Sequence, residues 1–268
     1  METASTAGPH EAGGPPADGQ ADAAVHTTVR DGVATLTLHH PAKRNAMTPA
    51  MWRALPPLLA ELARDTAVRT LVLTGAGSTF CAGADIAALR HAPEEQQESA
   101  AAAEEALAGF PAPTVAAVRG HCVGGGCQLA AACDLRFADE DALFGVTPAK
   151  LGLVYPAGST GRLVRLLGPA RAKYLLFSGE LIGARQALAY GLVDEVHAPG
   201  ALDARIAEFA AVLARRSRLT QEAAKEAASD TGPRRETYWQ EQQRTRGEAA
   251  EGVAAFLERR EPRFRWTR

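Results

Sequence analysis

The sequence predicts an α/β fold with a helical C-terminal section, on three observations. Short, nearly continuous apolar segments, VRTLVLT at 68–74 and TVAAV at 114–118, read as strands buried on both faces, as in a parallel sheet. Each leads through small or glycine-rich residues into a helical pattern, which repeats the strand, turn, helix unit of a layered α/β architecture. After Val193 the texture changes to consecutive helices rich in Ala, Glu and Arg.

Taken in order, Met1–Ala24 is rich in Gly, Pro and Ala and is expected to be disordered. It has neither the apolar stretch of a signal peptide nor the arginines of a transit peptide, so a cytoplasmic protein is expected. Val25–Arg30 and Val33–Leu38 form a predicted hairpin around Asp31-Gly32. Pro49–Arg64 reads as a helix with Thr48 as N-cap and Pro49 at its first position, interrupted or kinked at Pro56-Pro57. Val68–Thr74 is a strand, Glu94–Gly109 a helix, Thr114–Val118 a strand, Gly125–Cys133 a helix and Asp134–Ala138 a strand. Helices are then predicted over Ala201–Arg216, Thr220–Ser229, Arg234–Gly247 and Glu248–Arg259. The chain divides into a tail over 1–24, a core over 25–196 and a helical region over 197–268 that packs on the core or on another subunit.

Composition limits the function classes. The 268 residues are 46% apolar and 22% charged with a net charge of −2, so neither nucleic acid nor an anionic membrane is expected as partner. No apolar run is long enough to span a bilayer. Cys81, Cys122, Cys127 and Cys133 lack the spacing of a zinc site and read as small buried residues kept reduced; no metal is expected.

The chemistry is carried by two loops, FCAGADI at Phe80–Ile86 and GHCVGGGCQLA at Gly120–Ala130. Glycine lets bare backbone approach a ligand, and the first N–H groups of a helix have no internal partner. Two such N–H groups aimed at one point hold a developing oxyanion. Asp85 reads as the cap of the helix that follows, and His121 as a structural histidine. Lys43 and Arg44 are cations suited to phosphate groups. No Walker-type GK[ST] follows the glycines, so a nucleotide-binding loop is excluded.

At these loops the chain resembles the crotonase superfamily, the enoyl-CoA hydratase/isomerase family. The resemblance runs from Val25 to Arg265 and includes HPAKRNAMT at 40–48, FCAGADI, PTVAAVRGHCVGGGCQLAAACDLRFA at 113–138, GELIGARQALAYGLVDEV at 179–196 and EGVAAFLERREPRF at 251–264. It implies a spiral ββα core with a helical tail, assembled as homotrimers or hexamers, acting on a CoA thioester without a further cofactor. The thioester oxygen would lie between the N–H groups of Ala84 and Gly125. The CoA nucleotide would lie along Lys43–Met47, with Lys43, Arg44, Ala46 and Ala82 on its path, and Arg259 would contact phosphate from a neighbouring subunit.

The chain departs from the family at the reacting end. The two glutamates that place water in a hydratase of this family align with Gln128 and Pro148. Gln is no base and Pro has no side-chain acid. FGVTPAKLGLVYP at 144–156 is similar instead to a stretch of methylmalonyl-CoA decarboxylase-type members, which puts the Tyr155 hydroxyl near the acyl group; their histidine in the first loop is Ala84 here. Glu104 and Glu105 read first as a solvated helix face; if that helix lines the acyl pocket, either would be a base for isomerisation. Three readings stay open: an acyl-CoA enzyme of the hydratase/isomerase type assisted by Gln128 or Tyr155, a decarboxylase of a methylmalonyl-CoA-like thioester using Tyr155, and a CoA-thioester binding protein without chemistry.

Overall fold

The computed structural model describes residues 23–90, 93–229 and 235–268. The expectation of disorder over 1–24 falls, apart from Ala23 and Ala24, outside the described residues. The first pair of strands is the predicted hairpin. β1 (Ala24–Arg30) runs antiparallel to β2 (Val33–His39), and the Asp31-Gly32 turn has φ of 49° and 77°. Two positive φ values in a two-residue loop match the right-handed twist of the strands they join.

α1 (Pro49–Arg64) begins as predicted, with Thr48 Oγ1 accepting from the Met51 N–H at 3.2 Å. Of the break or kink expected at Pro56-Pro57, the break is absent: the helix is continuous through both prolines. They forfeit two backbone donors, yet Met51, Trp52 and Leu55 before them and Leu59 and Leu62 after them are all buried along one face. That shared apolar face holds the two halves in one helix.

β3 (Thr70–Gly75) lies parallel to β2, and the short α2 (Ile86–Leu89) and α3 (Pro93–Ala108) follow it. Next come β4 (Thr114–Val118), β5 (His121–Val123), α4 (Gly125–Ala132), β6 (Leu135–Asp139) and β7 (Leu143–Gly145). α5 (Ala157–Leu167), α6 (Pro169–Ser178), β8 (Leu181–Gly183), α7 (Ala184–Tyr190) and β9 (Glu195–His197) complete the core. The strands make a six-stranded sheet ordered β1-β2-β3-β4-β6-β9, parallel beyond the hairpin, and a small sheet ordered β5-β7-β8. The chain ends in α8 (Leu202–Ala214), α9 (Arg218–Ala228), α10 (Glu236–Arg246) and α11 (Glu248–Glu258).

Both faces of the large sheet are covered, which is why β3 and β4 read as unbroken apolar runs. Leu71, Leu73, Ala116 and Val118 face a core shared with α1, α3 and α4, whereas Val72, Val115 and Phe137 face Leu202, Ile206 and Phe209 of α8. The helical tail is tied to the core by polar contacts. Lys225 on α9 reaches Asp134 at 2.7 Å and the Ala112 carbonyl at 3.0 Å. Buried Arg218 pairs with Glu222 and donates to the Thr66 carbonyl at 2.6 Å. α11 behaves differently: it leaves Val253, Phe256 and Leu257 exposed.

Candidate active site

The two glycine loops are laced together by backbone hydrogen bonds. The Cys81 N–H donates to the His121 carbonyl at 2.8 Å, and the Val123 N–H returns to the Cys81 carbonyl at 3.0 Å. Small residues are required at this crossing. A Cβ on Gly126 would sit 2.5 Å from the Cys81 oxygen, closer than nonbonded atoms approach. Gly124 adopts φ 54° and ψ −121°, a conformation L side chains avoid, and its N–H reaches the Gly145 carbonyl at 2.8 Å.

A third segment braces the first loop from the other side. Met47 donates to the Gly83 carbonyl and accepts from the Asp85 N–H, both at 2.8 Å, while the Ala82 N–H reaches the Arg44 carbonyl at 3.0 Å. Arg44 and Asn45 turn the chain in the left-handed region. The Asn45 amide secures that turn by donating to the Ala76 and Thr79 carbonyls at 2.9 and 2.6 Å and accepting from the His40 N–H at 3.0 Å.

This scaffold leaves two donors over. Among the described residues, neither the Ala84 N–H nor the Gly125 N–H has a protein acceptor. They are neighbours: a Cβ on Gly125 would stand 3.7 Å from the Ala84 nitrogen. On its other side that Cβ would meet the Trp52 ring at 2.8 Å, so the buried indole forms a floor under Gly125. Ala84 and Gly125 line one cleft together with Ala82, Gln128, Pro148 and Tyr155. Paired free donors at the wall of a mostly apolar cleft are an arrangement suited to an anionic oxygen.

Of the other residues singled out from sequence, Lys43 makes a 2.8 Å ion pair with Asp85, which also caps α2 by accepting from the Ala87 N–H. Burial pushes the Asp85 carboxyl up, but Lys43 and the capping N–H outweigh it and hold the group below the ordinary carboxylate range. Arg44 is exposed and Ala46 buried, beside the first loop. Arg259 is exposed just past α11, with φ 54°, and does not line the cleft. The four cysteines are free and buried, and burial pushes the Cys81 thiol up to about 12. Tyr155 is partly buried with its hydroxyl facing Gly124, 3.7 Å from where a Cβ there would lie; burial, then Cys127 and Glu104, push its pKa up, so it stays a neutral donor.

Glu104 corrects the sequence reading. It is no solvated residue: it is 1% exposed and lines the same cleft as Ala84 and Gly125. Its Oε2 accepts from Ser159 Oγ at 2.7 Å and from the Arg162 guanidinium at 3.1 Å, while its Oε1 is buried without a partner. Burial pushes this carboxyl from its ordinary 4.5 up to about 7, against the pull of Ser159 and Arg162. Its neighbour Glu105 fits the original expectation better, half-exposed and paired with Arg162 at 2.5 Å. Ser159 and Arg162 were not visible as site residues; they lie on α5, more than fifty residues from Glu104, and nothing in the local pattern marks them.

The comparisons with known proteins agree with this architecture. The enoyl-CoA hydratase/isomerase family model matches residues 28–267. The chain is 36% identical over 248 residues to 2,3-dehydroadipyl-CoA hydratase of Escherichia coli, covering 87% of this chain and 95% of that one. It is 35% identical over 257 residues to enoyl-CoA hydratase domain-containing protein 2 of Bos taurus, covering 87% and 84% respectively. A solved enoyl-CoA hydratase/isomerase family member superposes with a TM-score of 0.88 at 36% identity, over 94% of this chain and all of that one. An enoyl-CoA hydratase from Bacillus anthracis does so at 0.82 and 31%, over 90% and 98%. The fold is the crotonase α/β fold with C-terminal helices, and the chain belongs to the enoyl-CoA hydratase/isomerase family.

Proposed function

We propose that the chain is an acyl-CoA isomerase that shifts a double bond next to the thioester, with Ala84 and Gly125 as oxyanion donors and Glu104 as the base. The observation that carries this reading is the unpartnered Oε1 of Glu104 in the cleft that holds both free N–H groups. In a 3-enoyl-CoA, Oε1 takes the C2 proton, and the electron pair moves into a dienolate whose oxygen rests on the two N–H groups. The protonated carboxyl then returns the proton to C4, giving the 2-enoyl-CoA. One carboxylate suffices for this, and a base that ionises near 7 both accepts and donates well at neutral pH. Hydration needs a second acid or base, and Gln128 and Pro148 supply none.

Lys43, Arg44, Ala46 and Ala82 belong to the same reading as the path of the CoA nucleotide, since they flank the Ala84 loop. Arg259 is not among the residues lining this cleft, and a phosphate contact from it calls for a homotrimer or hexamer. No helix among the described residues is long and apolar enough to cross a membrane; the reading places the enzyme in the cytoplasm.

The test is conversion of 3-hexenoyl-CoA to 2-hexenoyl-CoA. The isomerase is expected to turn it over, and Glu104→Gln to lower kcat by about 10²–10⁴. An unchanged rate in the variant sinks the assignment. One observation favours a second reading: the neutral Tyr155 hydroxyl beside Gly124 is placed to orient a leaving carboxylate, as in decarboxylation of methylmalonyl-CoA. An ionised Glu104 nearby opposes a second carboxylate. Release of CO2 from methylmalonyl-CoA that is lost in Tyr155→Phe would replace the first reading with the second.

A further inference from the structure

Besides Glu104 Oε1 and the Trp52 indole N–H, the cleft carries an unpartnered polar group remote from the base. Gln96 lies in the first turn of α3, 4% exposed, lines the cleft, and its Oε1 has no partner. Gln96, Ala100 and Glu104 all line the cleft and are spaced four residues apart, so they share one face of α3. Two helical turns, about 12 Å of axial rise, separate Gln96 from Glu104. Apolar side chains line the same cleft, Ala100 on α3 and Leu89 and Leu153 among them.

A plain alkyl chain filling this cleft would leave the buried Oε1 of Gln96 with nothing to bond it. Buried amides are rarely left so. Among the described residues, the lining also includes no Lys, Arg or His. An acyl chain ending in a carboxylate would therefore meet the Gln96 amide without a countercharge, with the Glu104 carboxyl on the same helix face. A hydroxyl fits both constraints. It is neutral, and it both donates and accepts, as does an amide, so it pairs with Gln96 whichever way the amide is turned.

We infer that the enzyme selects acyl-CoA substrates bearing a hydroxyl group remote from the thioester, recognised by Gln96. This rests on the reading of the cleft as an acyl-CoA site, but not on which reaction follows. The polar pole at Gln96 sets the substrate; the pole at Glu104 performs the chemistry.

Saturated probes separate binding from turnover. Calorimetry on the full chain would compare hexanoyl-CoA with 6-hydroxyhexanoyl-CoA and adipoyl-CoA, and decanoyl-CoA with 10-hydroxydecanoyl-CoA. At one length or the other the hydroxyacyl-CoA is expected to bind at least about tenfold tighter than the plain chain, because a site that hydrogen-bonds a hydroxyl rejects the analogue lacking it. Adipoyl-CoA is expected to bind more weakly than 6-hydroxyhexanoyl-CoA. Gln96→Met, close in shape but apolar, is expected to erase the preference while binding the plain chains as well as or better than the parent, which also shows that it is folded. Equal affinity within both pairs, a preference that survives Gln96→Met, or tighter binding of adipoyl-CoA overturns the inference. If no probe binds better than free CoA, the acyl-CoA reading of the cleft falls and this inference with it. A hydroxyl preference without isomerase turnover leaves the inference standing and removes only the reaction.

Discussion

Ser159 Oγ donates a 2.7 Å hydrogen bond to Oε2 of Glu104, and Arg162 donates to that same oxygen from 3.1 Å. The other oxygen, Oε1, has no partner. Glu104 is therefore fixed on one side and free on the other. A base needs both properties: an orientation set by its neighbours, and a lone pair left for the substrate proton.

The first prediction is a pH profile. With the Glu104 carboxyl raised to about 7, chiefly by burial, the ionised and competent form grows as pH rises through neutrality. The kcat/KM for 3-enoyl-CoA isomerisation should climb from pH 5 and level above pH 8. A flat profile over that range would remove Glu104 from the base role.

The same carboxyl makes a prediction about stability. Its folded-state value lies above its ordinary 4.5, so between 4.5 and about 7 the folded chain binds a proton that the unfolded chain has lost. Stability therefore falls as pH rises through that window and is flat above it, at a cost of about 3 kcal/mol for a shift of this size. Glu104→Gln carries no such cost. The variant should gain melting temperature relative to the parent on going from pH 5 to pH 8, while losing activity. A difference in melting temperature that stays constant across that range contradicts the argument.

Gly126 offers a test of the loop crossing. Gly126→Ala drives a Cβ against the Cys81 backbone oxygen at 2.5 Å, and neither loop can yield without moving the other. Overpacking of this kind costs about 1–3 kcal/mol. The displaced Gly125 N–H should cost on the order of 10²–10³ in kcat. Gly183→Ala is the control, because a Cβ there meets nothing within 4 Å and its φ is −75°. Thermal melting and turnover on both variants check the contrast.

What the sequence revealed and hid follows from these contacts. The oxyanion loops were legible because backbone donors require small residues, and Gly124, Gly125 and Gly126 leave that trace in the chain. The strands β3 and β4 were legible because burial on two faces writes an unbroken apolar run. The face of α3 was not. Alanines surround Glu104 and Glu105, so no apolar stripe tells which glutamate points inward. The deciding partners, Ser159 and Arg162, come from α5. Pro56-Pro57 misled for a related reason: the local rule predicts a break, and the buried face of α1 overrides it.

The last prediction concerns assembly. Val253, Phe256 and Leu257 lie one helical turn apart on α11 and are 60%, 82% and 73% exposed. Three large apolar side chains in one exposed stripe are more than scattered surface residues and mark a surface that another chain covers. The tail already docks to its own core through Lys225 and Arg218, and the Glu248 carboxylate holds the C-terminal segment to the tail by accepting from the Trp266 N–H at 2.8 Å. The stripe is therefore left for a second copy. In sedimentation at micromolar concentration the parent should run as a trimer or hexamer. Phe256→Glu combined with Leu257→Glu should yield smaller species with an unchanged circular dichroism spectrum, since neither side chain supports the monomer's core. Arg259 lies next to this stripe, so the dissociated variant should also lose the parent's preference for CoA thioesters over the same esters lacking the 3′-phosphate. A parent that sediments as a monomer, or a variant that stays assembled, places the interface elsewhere and leaves Arg259 without a role at the cleft.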